Sequence, residues 1–205
     1  MKFYNSIGPN PRVVKMFIAE KGIDIPRVDV DLMAGDNRKE PHLSRNPAGQ
    51  MPTLELDDGA FLSEILPICE YLEEVHPTPA LIGTNAEERA VTRMWTRRID
   101  LNVCEPMANG FRYSTGLRLF ESRMRVIPQA ADDLKALAAE KLAWLDGLVG
   151  SKPFVVGDRF TLADILLFVF IEFGGQVGQP LDGANKNLAA WRERVSARPS
   201  AAASA

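Results

Sequence analysis

The sequence divides into an α/β first half and an all-helical second half, and three observations carry that reading. Strand-like and helix-like segments alternate through the first 80 residues. A proline-rich stretch, His76-Pro77-Thr78-Pro79, follows, and period-two alternation largely disappears beyond it. In its place come long helical stretches with leucine stripes and one well-marked helix start at Thr161. These signals set a first domain over residues 1–78 and a helical domain over residues 85–205.

Residues 2–5 read as a short apolar strand. Residues 13–21 place Val13, Met16, Phe17 and Ala19-Glu20 on helical spacing and stop at Gly22, which suits a left-handed C-cap. Residues 27–32, RVDVDL, alternate with period two and predict a half-buried strand. A polar loop spans 34–46. Residues 52–56 and 60–62 flank Asp57-Asp58-Gly59, and Asp-Gly supplies the positive backbone angles of a tight two-residue turn, so the pair reads as a hairpin. Residues 65–75 form a helix with Ile65, Ile68, Leu72 and Val75 on one face, which also places Cys69 in the core.

In the second half, residues 86 to about 109 are helical with a break near Pro106. Residues 130–149 carry the stripe Leu134, Leu137, Leu142, Leu145 and Leu148. Thr161 can cap the Asp164 amide while Asp164 reaches back to the Thr161 amide, and Phe160 can staple onto Ile165. Residues 165–173 behind that box are apolar all round apart from Glu172, so this helix is expected to be central and buried. Residues 187–197 close the chain. No fixed-period repeat is present.

Composition narrows the function classes. The chain has 205 residues, 46% hydrophobic and 25% charged, which excludes a disordered, collagenous or disulfide-stapled protein. Only Cys69 and Cys104 could pair, the first residues hold no apolar stretch behind a basic cluster, and the longest apolar run, 165–171, is far short of the roughly 20 residues that span a bilayer. A cytoplasmic protein without membrane partners is the expectation. Net charge is −3, with 8 basic against 13 acidic residues up to position 80 and 16 against 14 after it. Neither half has the basic excess a phosphate backbone requires, so nucleic acid is not expected as a partner. His42 and His76 are far apart and Cys104 has no ligand at metal spacing, so no metal site is expected.

The chemistry concentrates in residues 46–72, NPAGQMPTLELDDGAFLSEILPICEYL. Met51 precedes a proline and is biased toward extended backbone; a cis bond there would turn its N–H and C=O outward at a sheet end, toward an extended peptide ligand. Pro67 places the start of the following helix near Glu64 or Ile65, leaving its first amides without partners. Free amides beside a carboxylate suit a zwitterion: the amides take a carboxylate and Glu64 takes an ammonium. An ordinary hairpin with a capped helix accounts for the same residues.

The pattern N-P-x-G-x-x-P-x-L-x-L-D-D-G followed by S-E and Y-L, the A-E-K-G at residues 19–22, and F-T-L-A-D at residues 160–164 together resemble the cytosolic glutathione S-transferase family over nearly the whole chain. The resemblance implies a thioredoxin-like N-terminal domain joined to an all-helical one, usually as a homodimer. Glutathione would be co-substrate on the first domain, with an electrophile site between the two. It assigns Met51, before Pro52, to the cysteinyl part of glutathione with Gln50 beside it, Ser63 and Glu64 to the γ-glutamyl end, and Arg38 to the glycyl carboxylate, a task suited to a guanidinium fork. Where many members have a hydroxyl after the Glu, this chain has Ile65.

A free thiol titrates near 8.5, so a transferase must supply a donor or a positive field that favours thiolate. The family usually places a Tyr, Ser or Cys just after the first strand. Here the stretch is Tyr4-Asn5-Ser6-Ile7-Gly8-Pro9-Asn10-Pro11, with Asn10 where some bacterial members have Cys and neither hydroxyl nor thiol over residues 8–11. This is similar to an atypical subgroup that uses helix-end amides and bound water. Asn10 and Ser6 are the candidate donors, Tyr4 being expected to bury its ring at the end of the strand. Phe111, Arg112 and Tyr113 are candidates for a pocket holding a small apolar electrophile, and packing explains them equally. A non-catalytic glutathione-fold binding or interaction protein is the alternative function. A thiol-disulfide reductase ranks last for want of a cysteine near the first helix.

Overall fold

The computed structural model describes residues 1–205, and the first of its two units is laid out by four short strands. The elements are β1 (Lys2–Asn5), α1 (Pro9–Lys21), β2 (Arg27–Asp29), a 3-10 turn (Asp36–Arg38), α2 (His42–Arg45), β3 (Thr53–Glu55), β4 (Phe61–Ser63) and α3 (Ile65–Val75). The strand order is β2-β1-β3-β4, with β2 parallel to β1 and the other two neighbours antiparallel. This is the thioredoxin-like arrangement. Asn5 pairs with Asp29, Tyr4 with Thr53 and Thr53 with Ser63, so the outgoing ends of β1, β2 and β4 and the incoming end of β3 share one edge. Helices α1 and α3 both start from that edge.

Apolar side chains from α1, α3 and the sheet close the unit. Phe3, Val13, Val14, Met16, Phe17, Leu54, Ile68, Cys69 and Leu72 are fully buried, and each large one contributes about 1.5–3 kcal/mol. Helix α1 begins four residues earlier than its apolar pattern predicts. Gly8, at φ 112° and ψ 168°, turns the chain into a helix whose first residue is Pro9, where a missing N–H removes no bond. Its C-cap, Gly22, is left-handed as expected.

Three local expectations are corrected. Strand β2 stops at Asp29 and all three of its residues are exposed, because it is the sheet edge and because the Asp31 carboxylate takes the Met33 and Ala34 amides at 2.8 and 2.9 Å and turns the chain. The hairpin loop has three residues: Leu56 and Ala60 close it at 2.8 Å, the Gly59 amide returns to the Leu56 carbonyl, and positive φ is confined to Gly59. The polar loop 34–46 contains the 3-10 turn and α2.

The outgoing segment is anchored by a pair that sequence reading missed. Lys21, with a fully buried side chain, is ion-paired to Glu73 and donates to the carbonyls of His76 at 2.8 Å and Pro79 at 2.6 Å. Glu73 accepts the amides of Leu81 and Ile82 at 3.2 and 2.8 Å.

The second unit, Gly83–Arg198, is all-helical. Helix α4 (Ala86–Ile99), a π-helical turn (Asp100–Cys104) and α5 (Glu105–Arg112) form one continuous stretch, and the irregularity falls in the turn before Pro106. Then follow α6 (Leu117–Phe120), α7 (Ala131–Val149), α8 (Leu162–Gln176) and α9 (Lys186–Ser196). In α7 the buried stripe is Ala131, Ala138, Leu142, Leu145 and Val149; Leu137 is 40% exposed, contrary to expectation, because the small Ala138 takes the inward position.

Helix α8 is buried through residues 162–171, and its capping box is present. The fully buried Asp164 carboxylate accepts from the Thr161 amide (2.9 Å) and hydroxyl (3.1 Å), the Val155 amide (2.8 Å) and Trp191 Nε1 (2.9 Å). A last helix, α10 (Pro199–Ala203), was not anticipated: residues 199–205 belong to the first unit, where the Ser200 hydroxyl hydrogen-bonds Glu20. No helix is long and apolar enough to cross a membrane.

Candidate functional site

The shared sheet edge collects polar groups that have no work to do inside the chain. The Met51-Pro52 peptide bond is cis, and the buried Met51 leaves both its N–H and C=O without a hydrogen bond. Across the ladder, Thr53 pairs with Ser63, so Ser63 and Glu64 stand next to the Met51-Pro52 segment. The Ser63 hydroxyl and the exposed Glu64 carboxylate have no partner. Glu64 is the one non-glycine residue at positive φ, 71°, and it opens α3 without capping it. An L-residue held in that region indicates a backbone constrained by its surroundings. The amides of Ile65 and Leu66 precede the first intrahelical bond, from the Ile68 amide to the Glu64 carbonyl at 3.2 Å, and so face outward.

Arg38 and Gln50 adjoin this edge through the 48–50 loop. One guanidinium nitrogen of Arg38 donates to the Ala48 carbonyl at 3.1 Å. Gly49, at φ 59°, passes under it so closely that an added Cβ would lie 2.9 Å from the Asn37 carbonyl and 3.0 Å from the Arg38 side chain. The Gln50 side chain is exposed, while its carbonyl is held by His42 Nε2 at 3.1 Å and Asn46 Nδ2 at 3.0 Å. Asn37, His42 and Asn46 were not singled out as site residues by sequence reading. The only signal of them is the Asn46-Pro47 dipeptide in the motif.

On the α1 side the candidates separate. The Ser6 hydroxyl donates to the Val30 carbonyl at 2.8 Å, which commits its proton. The Asn10 side chain is half-buried and free, and since Pro9 and Pro11 lack N–H groups, Asn10 also carries the free amide of the first helical turn. Tyr4 is buried, donates to Glu55 at 2.6 Å and lies under the Arg45 guanidinium. Burial, and then the Glu55 contact, push its phenol above the usual range. The phenol in turn holds Glu55 below the usual carboxylate range. Lys15 is lowered first by burial and then by Arg27 and Arg12. Cys69 and Cys104 are buried, and burial drives both thiols well above their ordinary value.

In the second unit, Phe111 meets Phe120 and Phe173 edge-on at 6.0 and 5.4 Å and lies against Gly116. Arg112 bonds Asn109 and covers Phe120. Tyr113 is half-buried, and its hydroxyl makes no hydrogen bond. A cavity of about 290 Å³ in this unit is lined by Met107, Lys135, Ala138, Leu142, Gln179 and Asn185, among others, and includes none of these three. No group of three or more His, Cys, Asp or Glu residues is arranged to hold a metal ion.

Comparison with known proteins gives the same answer in both halves. Residues 7–75 match the glutathione S-transferase N-terminal domain family and residues 119–199 the C-terminal domain family. The chain is 30% identical over 200 residues to glutathione S-transferase 2 of Saccharomyces cerevisiae, covering 94% of this chain and 84% of that protein. Among solved structures it resembles a glutathione S-transferase domain-containing protein of Marinobacter aquaeolei VT8, with TM-score 0.92, 34% identity and coverage of 98% and 99%. It also resembles Gtt2 of Saccharomyces cerevisiae, with TM-score 0.94, 28% identity and full coverage of both chains.

Proposed function

The chain belongs to the glutathione S-transferase family, and from that premise we propose that it transfers the sulfur of glutathione to a small apolar electrophile, with the tripeptide held at the sheet edge of the first unit. The observation that carries this reading is the set of uncommitted groups around Glu64. The γ-glutamyl ammonium pairs with the Glu64 carboxylate, and its carboxylate takes the Ser63 hydroxyl and the amides of Ile65 and Leu66. Burying a zwitterion requires both partners at one place. The cysteinyl backbone pairs with the Met51 N–H and C=O beside Pro52, as an added strand does. Arg38 meets the glycyl carboxylate with the guanidinium nitrogens not given to Ala48, and Gln50 flanks it.

With the tripeptide so placed, the thiol lies toward the start of α1. Its proton passes to water, and the thiolate is stabilised by the Asn10 side chain and amide at the positive end of the helix. Ser6 ranks second because its proton is already given to Val30. A sulfur lone pair then forms the S–C bond and the leaving group departs with its electron pair. Phe111, Arg112 and Tyr113 are assigned to the electrophile, the phenyl ring offering an apolar edge and Tyr113 a free hydroxyl. A cytoplasmic homodimer completes the reading. Met94 and Leu101, 43% and 50% exposed and seven residues apart along the α4 stretch, support it as an apolar seam.

Ultraviolet titration of bound glutathione, with turnover of an aryl halide, tests the assignment. Asn10→Ala is expected to raise the bound thiol pKa and lower kcat on the order of a hundredfold, while Tyr4→Phe changes neither. Loss of the thiolate signal in Tyr4→Phe alone would place the enzyme with the tyrosine type and refute the assignment.

A further inference from the structure

We propose that His42 is a positioning residue for glutathione, acting through the Gln50 carbonyl to present the Met51 peptide groups to the cysteinyl backbone; the inference rests on the glutathione reading above. Three successive carbonyls lead up to Met51, and each is held by a side chain from residues 37–46. Ala48 is held by Arg38 at 3.1 Å, Gly49 by Asn37 Nδ2 at 2.6 Å, and Gln50 by His42 Nε2 at 3.1 Å together with Asn46 Nδ2 at 3.0 Å. Asn37, His42 and Asn46 are each 2% exposed. Directly after this run the pattern stops, and both Met51 peptide groups are left without partners. A segment whose preceding carbonyls are pinned inward pays its ordering entropy on folding and not on ligand binding, which is how preorganisation raises affinity.

His42 is the member whose contribution can be isolated. Asn46 also accepts the Ala48 amide and reaches Thr53 Oγ1, so its loss would undo the turn itself. The His42 side chain makes one polar contact, to the Gln50 carbonyl, and its Nδ1 is buried with no partner. Because a carbonyl only accepts, Nε2 carries the hydrogen of this contact. A residue present merely to fill the core would be replaced by an apolar ring of similar volume with no consequence for a ligand that it does not touch.

The test compares His42→Phe, which keeps the ring and loses the donor, with His42→Gln, which keeps a donor at similar reach. In the full-length enzyme, His42→Phe is expected to raise both the Kd and the KM for glutathione about tenfold, the loss of one buried hydrogen bond. At saturating glutathione kcat stays within about twofold, and His42→Gln recovers glutathione affinity to within about threefold of wild type. Asn37→Ser, which removes the donor to Gly49, gives the same split and decides the question if His42→Phe does not fold. An unchanged glutathione Kd in folded His42→Phe, or a fall in kcat with KM unchanged, overturns the proposal. If wild type binds glutathione and Glu64→Ala loses it while His42→Phe does not, the positioning role alone is wrong. If wild type fails to bind, both readings fall.

Discussion

Replacing Lys21 by Met tests how the end of the first unit is held. The ammonium is fully buried and serves three acceptors: the Glu73 carboxylate and the carbonyls of His76 and Pro79. Methionine matches the stem and removes the charge, which takes the cationic partner from the buried Glu73 carboxylate, also bonded to the Leu81 and Ile82 amides, and strands two carbonyls. Breaking a buried pair by deleting one partner costs about 3–5 kcal/mol. For a chain of this size each kcal/mol lowers Tm by about 2–4 °C, so about 4 kcal/mol corresponds to about 8–16 °C. The companion Lys21→Met/Glu73→Leu removes the uncompensated charge and should recover only part of the loss, because the four backbone groups of residues 76–82 remain unpaired. Differential scanning calorimetry of both variants measures this. A Lys21→Met Tm within 2 °C of wild type would refute the assignment of the pair as an anchor.

Asp164→Ala strands four buried donors, each costing about 1–3 kcal/mol when orphaned, and the relieved carboxylate desolvation offsets part of this; calorimetry should show a lower Tm with glutathione affinity retained. Burial pushes the Asp164 carboxyl above its usual range, so its protonation favours the folded state. Stability from this group is fully present below the unfolded carboxylate pKa and falls as pH rises through the folded one, and urea titrations between pH 4 and 7 should show Asp164→Asn flattening that slope. Gly8→Ser puts a hydroxyl into the 8–11 stretch, which has neither hydroxyl nor thiol, but at φ 112°. It is expected to lose about 1–3 kcal/mol by thermal melt without gaining turnover.

Much of the fold was legible because the signals are local. Gly22, the Thr161–Asp164 box and Pro67 each act through their own backbone neighbourhood, and the elements they bound lie where the pattern put them or within a few residues. What escaped depended on partners distant in sequence. The exposure of β2 follows from its edge position, which no alternation within RVDVDL reveals. Lys21 and Glu73 are 52 positions apart, and nothing local to either residue marks them as a pair. Leu137 looked like part of a leucine stripe until Ala138 took the buried place. At the site, the motif pointed to Met51, Ser63 and Glu64, whereas the backbone strain at Glu64 and the commitment of the Ser6 proton to Val30 arise only once the strands are paired. His42 carries no signal in the sequence beyond its distance from His76, since its contact is to a backbone carbonyl eight residues away.

Isothermal titration calorimetry of glutathione against wild type and Glu64→Ala decides whether the tripeptide sits at this edge, because Glu64 is placed against the ligand ammonium and has no partner of its own. Wild type is expected to bind at one site per chain, and Glu64→Ala to raise the Kd at least tenfold, the loss of one charge-assisted contact of about 1.5–3 kcal/mol. An equal Kd in the two proteins would contradict this and move the tripeptide away from the Met51–Glu64 edge.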